Sequence, residues 1–156
     1  MPGMLVDTSG WGNLVDSSQP YHSLASSLYR DARLRQDRII TNSYVIVELV
    51  ALLTSPLRIP RSDIIAFIEG VKQSPFIEIV YVDQAIDEAA WQLLGNRQDK
   101  DWSLVDCVSF VIMATKHARS VNDRPSLRAS RIGSLIEILA GTLRPDSLHT
   151  HAIEKI

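Results

Sequence analysis

Three short apolar runs, MLVD (residues 4–7), IIT (39–41) and FIEIVYV (76–82), are separated by longer stretches whose apolar residues recur at helical spacing. Strands that alternate with helices join one another through crossovers, so they form a parallel sheet with helices on its faces. This alternation predicts an α/β chain and leaves little room for other architectures. After the first strand, the Thr8-Ser9-Gly10 cluster reads as a turn and residues 11–15 as a short helix stopped near 17–20. Leu24, Ala25, Leu28, Ala32 and Leu34 predict a helix over 21–36. Asn42 or Ser43 can cap the next helix, YVIVELVALL, which stops near Ser55-Pro56. Ser62 or Asp63 opens a helix to about Gln73, and Asp83 caps one running through Leu94. Residues 95–102 read as a polar loop, and Ser103 starts a long apolar helix to about Lys116.

The length of 156 residues favours one domain, expected over residues 1–140, with an irregular tail at 141–156. Within that tail His149 and His151 read as solvated residues ahead of a metal pair. Hydrophobic residues make up 46% and charged residues 22%, the composition of a soluble globular chain. The net charge of -2 demands no nucleic-acid partner and leaves a local basic surface open. A lone cysteine, Cys107, excludes an internal disulfide framework and fits the cytoplasm, where localisation is expected. The first residues lack the pattern of a signal peptide, Met4 is a candidate start, and no apolar run is long enough for a membrane helix.

Three acids stand out. Asp7 lies at the carboxyl end of the first strand, the edge where open α/β sheets bind ligands, although an aspartate there also caps turns. Glu48 interrupts a ten-residue apolar run and is expected among Tyr44, Val45, Ala51 and Leu52, where an unpaired carboxylate costs several kcal/mol or stays protonated. A cation held at a cleft would neutralise it; a place at the edge of the apolar stripe, or an arginine partner, is the plainer reading. In DKDWSLVDCVSF (99–110), Asp99, Asp101 and Asp106 crowd one helix mouth, and Ser103 with Asp106 fits the S-x-x-D capping box. Carboxylates without a cysteine or histidine pair select a hard cation, Mg²⁺ or Mn²⁺. Such a cation activates water for in-line attack on a phosphate ester, the chemistry of a nuclease or phosphatase.

LVDTSGW (5–11), TNSYVIVELVALL (41–53) and DKDWSLVDCVSFVIM (99–113), in that order, resemble the PIN domain, and most closely its VapC-like toxins. The resemblance implies a three-layer α/β/α domain around a central parallel sheet. It implies a Mg²⁺- or Mn²⁺-dependent endoribonuclease, an RNA substrate, a cognate antitoxin and a homodimer; the lack of a long apolar run argues against a membrane partner. Carried over residue by residue, Asp7, Glu48 and Asp106 are the catalytic, metal-binding acids. Asp99 lies beside them as a supporting metal-site acid, and Ser9 matches the small hydroxyl residue after the first acid. By their positive charge beside the acids, and not by the resemblance, Arg97, Lys100, Arg119 and Arg124 are candidate RNA contacts, with an ordinary solvated surface role the equal alternative for each. The arginines at 30, 33, 35 and 38 belong to a stretch expected to face the antitoxin.

The ending departs from the family. A strand and a Thr-x-Asp-x-x-Phe segment are expected; the chain has ARSVNDRPSLRASRIGSLIEIL, in which Asp123 stands near the place of the fourth acid, the aromatic is missing and Pro125 intrudes. Codons exist for VNDRPSLRASRIGSLIEI that, read one base forward, give LTIDHHFEQAGLVRLLK, which restores the expected pattern. This points to a slip of reading frame near Thr115, after which residues were not selected for this fold. Asp123 is retained as a candidate metal ligand. The alternative to an active enzyme is a catalytically impaired PIN domain that only binds antitoxin or RNA.

Overall fold

The computed structural model describes residues 3–122, with side chains described as far as Lys116. Asp123, Arg119, Arg124, most of the segment past the proposed frame slip, and the tail at 141–156 lie outside the described residues or side chains. The chain divides into two compact units, one reaching Tyr81 and one beginning at Val82.

The first unit holds β1 (Met4–Leu5), α1 (Thr8–Val15), α2 (His22–Leu34), β2 (Ile39–Asn42), α3 (Ser43–Thr54), α4 (Arg61–Gln73) and β3 (Ile77–Val80). The three strands form a parallel sheet in the order β1-β2-β3, pairing Met4 with Ile39 and Ile39 with Ile77. The α/β expectation holds. All four residues of the middle strand are buried, including Thr41 and Asn42. Both are tolerated because their polar atoms are satisfied. Thr41 Oγ1 accepts from the indole N–H of Trp11 at 3.1 Å. Asn42 Oδ1 accepts from the backbone N–H of Tyr44 at 3.1 Å and of Val45 at 3.0 Å, which starts α3.

The structure corrects the beginning of the chain. The Thr8-Ser9-Gly10 cluster is not a turn before a helix at Trp11; it is the first turn of α1. Asp7 is the N-cap, in extended conformation, and its Oδ1 accepts from the Gly10 N–H at 2.8 Å. That cap outweighs the weak helix propensity of Ser9 and Gly10. It also drives Trp11 into the core, edge-on to Tyr29 and Phe67 at centroid distances of 6.3 and 6.0 Å. Gly12 lets α1 approach α3: a Cβ there would lie 3.0 Å from Leu52 Cδ2.

The second unit, as far as it is described, consists of α5 (Gln84–Asn96) and α6 (Leu104–Asn122), which pack on each other. Asp83 caps α5 by accepting from the Ile86 N–H at 2.9 Å. Ala90 and Leu93 of α5, and Cys107, Val108, Val111 and Ile112 of α6, are buried. Among the described residues no helix is long and apolar enough to cross a membrane.

Candidate active site

Asp7 stands just beyond β1, at the end of the sheet where the sequence placed it, and both readings of it meet there: it is the cap of α1. The next residue, Thr8, donates its hydroxyl to Glu48 Oε2 across forty positions of sequence. The turn that begins at Asp7 is thereby tied to Glu48 on α3. Ser9, the hydroxyl residue singled out from the sequence, is exposed; its carbonyl accepts from the Asn13 side chain at 2.8 Å. Thr8 was not singled out. Its signal was its position, a hydroxyl at the first residue of a helix directly after an acid, but the partner lies in another element.

Glu48 itself is a correction. Val45, Leu49 and Leu53 carry the buried face of α3, whereas Glu48 is exposed, beside Val47, which is 71% exposed. The apolar run is not buried all round, so a desolvated carboxylate in need of a counter-charge does not arise. Among the described residues, Thr8 is the hydrogen-bond partner of the Glu48 side chain, through Oε2.

In the second unit, Asp106 lies in the first turn of α6. Its Oδ2 accepts from the Ser103 N–H at 2.8 Å and from the Ser103 hydroxyl at 2.9 Å, and the Ser103 Oγ accepts in return from the Asp106 N–H at 3.1 Å. This is the reciprocal capping box the S-x-x-D spacing predicts. Beside it, Cys107 is buried and its thiol is pushed up to about 11, first by burial and then by the Asp106 charge. A thiol so disfavoured as thiolate packs and does not react.

Asp99, Arg97 and Lys100 are brought together, but with one another. The Arg97 guanidinium grips both Asp99 oxygens, from Nε at 2.8 Å and Nη2 at 3.0 Å, and Lys100 Nζ is 3.7 Å away. The hydrogen bond from Arg97 holds the Asp99 carboxyl down at about 2. Arg97 also lies over the Trp102 ring at 5.1 Å, and Trp102 meets Phe110 edge-on at 4.9 Å. The loop between α5 and α6 is thus clamped by an ion pair, by Arg97 over the Trp102 ring and by an edge-on ring pair. Among the described residues no three Asp, Glu, His or Cys side chains gather closely enough to hold a metal ion.

The PIN domain family model matches residues 4–122, running through both units. Two curated relatives, each named a 23S rRNA-specific endonuclease VapC20, come from Mycobacterium tuberculosis strains CDC 1551 / Oshkosh and ATCC 25618 / H37Rv. Each is 26% identical over 113 residues, covering 72% of this chain and 82% of the relative. A crystal structure of M. tuberculosis VapC20, titled a sarcin-ricin loop cleaving toxin, superposes with a TM-score of 0.65 at 26% identity, over 72% of this chain and 82% of that one.

Proposed function

From the premise that this chain belongs to the PIN domain family, we propose that it is a Mg²⁺- or Mn²⁺-dependent endoribonuclease, the toxin of a VapBC-type pair. The observation that carries the reading is the tie from Thr8, next to Asp7, to Glu48, two acids far apart in sequence. The curated relatives, named as rRNA endonucleases, support RNA as the substrate class.

The donor set fits a hard cation in its chemistry: carboxylates and hydroxyls, with the one cysteine buried as a thiol. In this reading Asp7 and Glu48 would hold the ion, and Asp106 keeps the metal-binding role that the resemblance gives it. When bound, it supplies Lewis acidity and an activated water for attack on a phosphodiester. Asp7 and Asp106 each commit an oxygen to a helix start, which fixes the direction of the carboxylate. Asp99, with both oxygens taken by Arg97, is assigned to holding the loop before Ser103 and not to ligation. Arg97 and Lys100, facing that same acid, offer RNA a partly offset positive charge. The antitoxin is proposed to dock on α2, where Leu24 and Leu34 are exposed, and the protein to act in the cytoplasm as a homodimer. Cleavage of an rRNA fragment with Mg²⁺ or Mn²⁺, compared with Asp7→Asn and Glu48→Gln, tests this. Loss of cleavage in both variants is expected; undiminished cleavage would end the reading.

A second reading, an impaired PIN domain that only binds antitoxin or RNA, is favoured by the family match stopping at residue 122, ahead of the segment with the departed pattern. Sequencing the locus across codons 110–145 decides its cause. Codons compatible with LTIDHHFEQAGLVRLLK in the shifted frame are expected, and incompatible ones would refute the slip.

A further inference from the structure

We propose that Thr8 is a positioning residue, whose hydroxyl holds the Glu48 carboxylate in the orientation in which it receives a divalent cation. This rests on the metal-nuclease reading above.

Glu48 rises from the exposed side of α3 on a side chain with three rotatable bonds, and burial does nothing to fix it. Thr8 is fixed. It is the first residue of α1, whose start is pinned by the Asp7 cap and whose next turn is anchored by buried Trp11 and by Gly12 lying against Leu52. Its branched Cβ restricts χ1. Helical threonines ordinarily bond back to the carbonyl four residues earlier, and two others here do so: Thr54 to the Val50 carbonyl at 2.7 Å and Thr115 to the Val111 carbonyl at 2.8 Å. At the first position of a helix no such intrahelical carbonyl exists, and the Thr8 hydroxyl goes to Glu48 Oε2 instead. A donor on Oε2 leaves Oε1 open for ligation. Hydrogen bonds to ligating carboxylates are the kind of outer contact whose loss weakens metal binding about ten- to a hundredfold.

The test uses the full chain as parent, Thr8→Val, Thr8→Ser, Glu48→Gln and, as a control, Thr54→Val. Mn²⁺ binding is titrated by the electron spin resonance signal of free Mn²⁺, alongside thermal melts and the Mn²⁺ dependence of RNA cleavage. Thr8→Val is expected to bind Mn²⁺ about tenfold more weakly or worse with a near-parental melt, Thr8→Ser to regain near-parental affinity, and Thr54→Val to match the parent. Parental affinity in Thr8→Val beside weakened binding in Glu48→Gln would overturn the proposal alone. Parental affinity in Glu48→Gln would overturn the metal reading and this proposal with it. Thr8→Ser as weak as Thr8→Val would assign the effect to the methyl group and also overturn it. Should Thr8→Val fail to fold, Thr8→Ala against Thr8→Ser applies the same criterion.

Discussion

Replacing Asn42 by alanine removes the acceptor on which the start of α3 depends. Its Oδ1 takes the N–H groups of Tyr44 and Val45 at 3.1 and 3.0 Å, and both Asn42 and Val45 are fully buried. Water therefore cannot replace the lost acceptor at Val45. Loss of an N-cap costs about 1 kcal/mol, up to about 2. A buried donor left unsatisfied adds about 1 kcal/mol or more. Together the variant should lose about 2–3 kcal/mol, a fall of about 5–10 °C in Tm for a chain of this size. Thermal unfolding followed by far-ultraviolet circular dichroism measures it, with Asn42→Ser as the companion, since serine caps nearly as well and should recover part of the loss. An Asn42→Ala melt within about 1 °C of the parent would refute the claim that this cap, more than the apolar run after it, sets where α3 begins.

Trp11→Phe deletes the indole donor to Thr41 Oγ1 at 3.1 Å and leaves a void in a buried site; a loss of about 2 kcal/mol or more is expected in urea titrations. Asp99→Asn should change the acid limb of the stability profile. The Asp99 pKa is lowered from 3.8 to about 2, so its contribution is complete above about pH 4 and disappears as pH falls toward 2. Over that window the parent should lose more stability than the variant, and parallel profiles would refute the role of the Arg97 pair. Ser103→Ala removes one half of the capping box on α6 and should cost about 1 kcal/mol by the same thermal assay.

Much of the fold was legible because hydrophobic period and capping chemistry agree. Ile39-Ile40, the alternation after Phe76, the Asp83 cap and the Ser103–Asp106 box each announce an element whose start the structure moves by a residue at most, although α6 runs on to Asn122, past the end expected near Lys116. The start of α1 was not legible, since Thr-Ser-Gly has turn composition and only the Asp7 cap makes it helical. The exposure of Glu48 was hidden for a related reason: a wholly apolar run carries no period, so it cannot say which face turns outward, and Val47 and Val50 turn outward with the glutamate. The Thr8 tie depends on α1 lying against α3, which no local pattern encodes. Arg97 and Asp99 stand two residues apart in one loop, and their pairing was within reach of charge patterning alone.

The recurrence of acids at strand and helix ends invites the idea that a cation is needed to hold them. The contacts argue otherwise. Asp7 faces the positive end of α1 and accepts from Gly10, Glu48 accepts from Thr8, Asp106 from both donors of Ser103, and Asp99 from Arg97. Each carboxylate has a local partner supplied by the chain, and a helix N-terminus stabilises an anion by about 0.3–1 kcal/mol on its own. If that is sufficient, neutralising one acid should relieve nothing in the absence of metal. In EDTA, Asp7→Asn, which keeps the capping oxygen, and Glu48→Gln should melt as the parent does, within about 0.5 kcal/mol. Had Asp7 and Glu48 been held together against mutual repulsion, either substitution would raise the metal-free Tm by several degrees, and that rise would refute the argument. The two outcomes separate a fold whose acids are each satisfied by the chain from one whose acids repel one another.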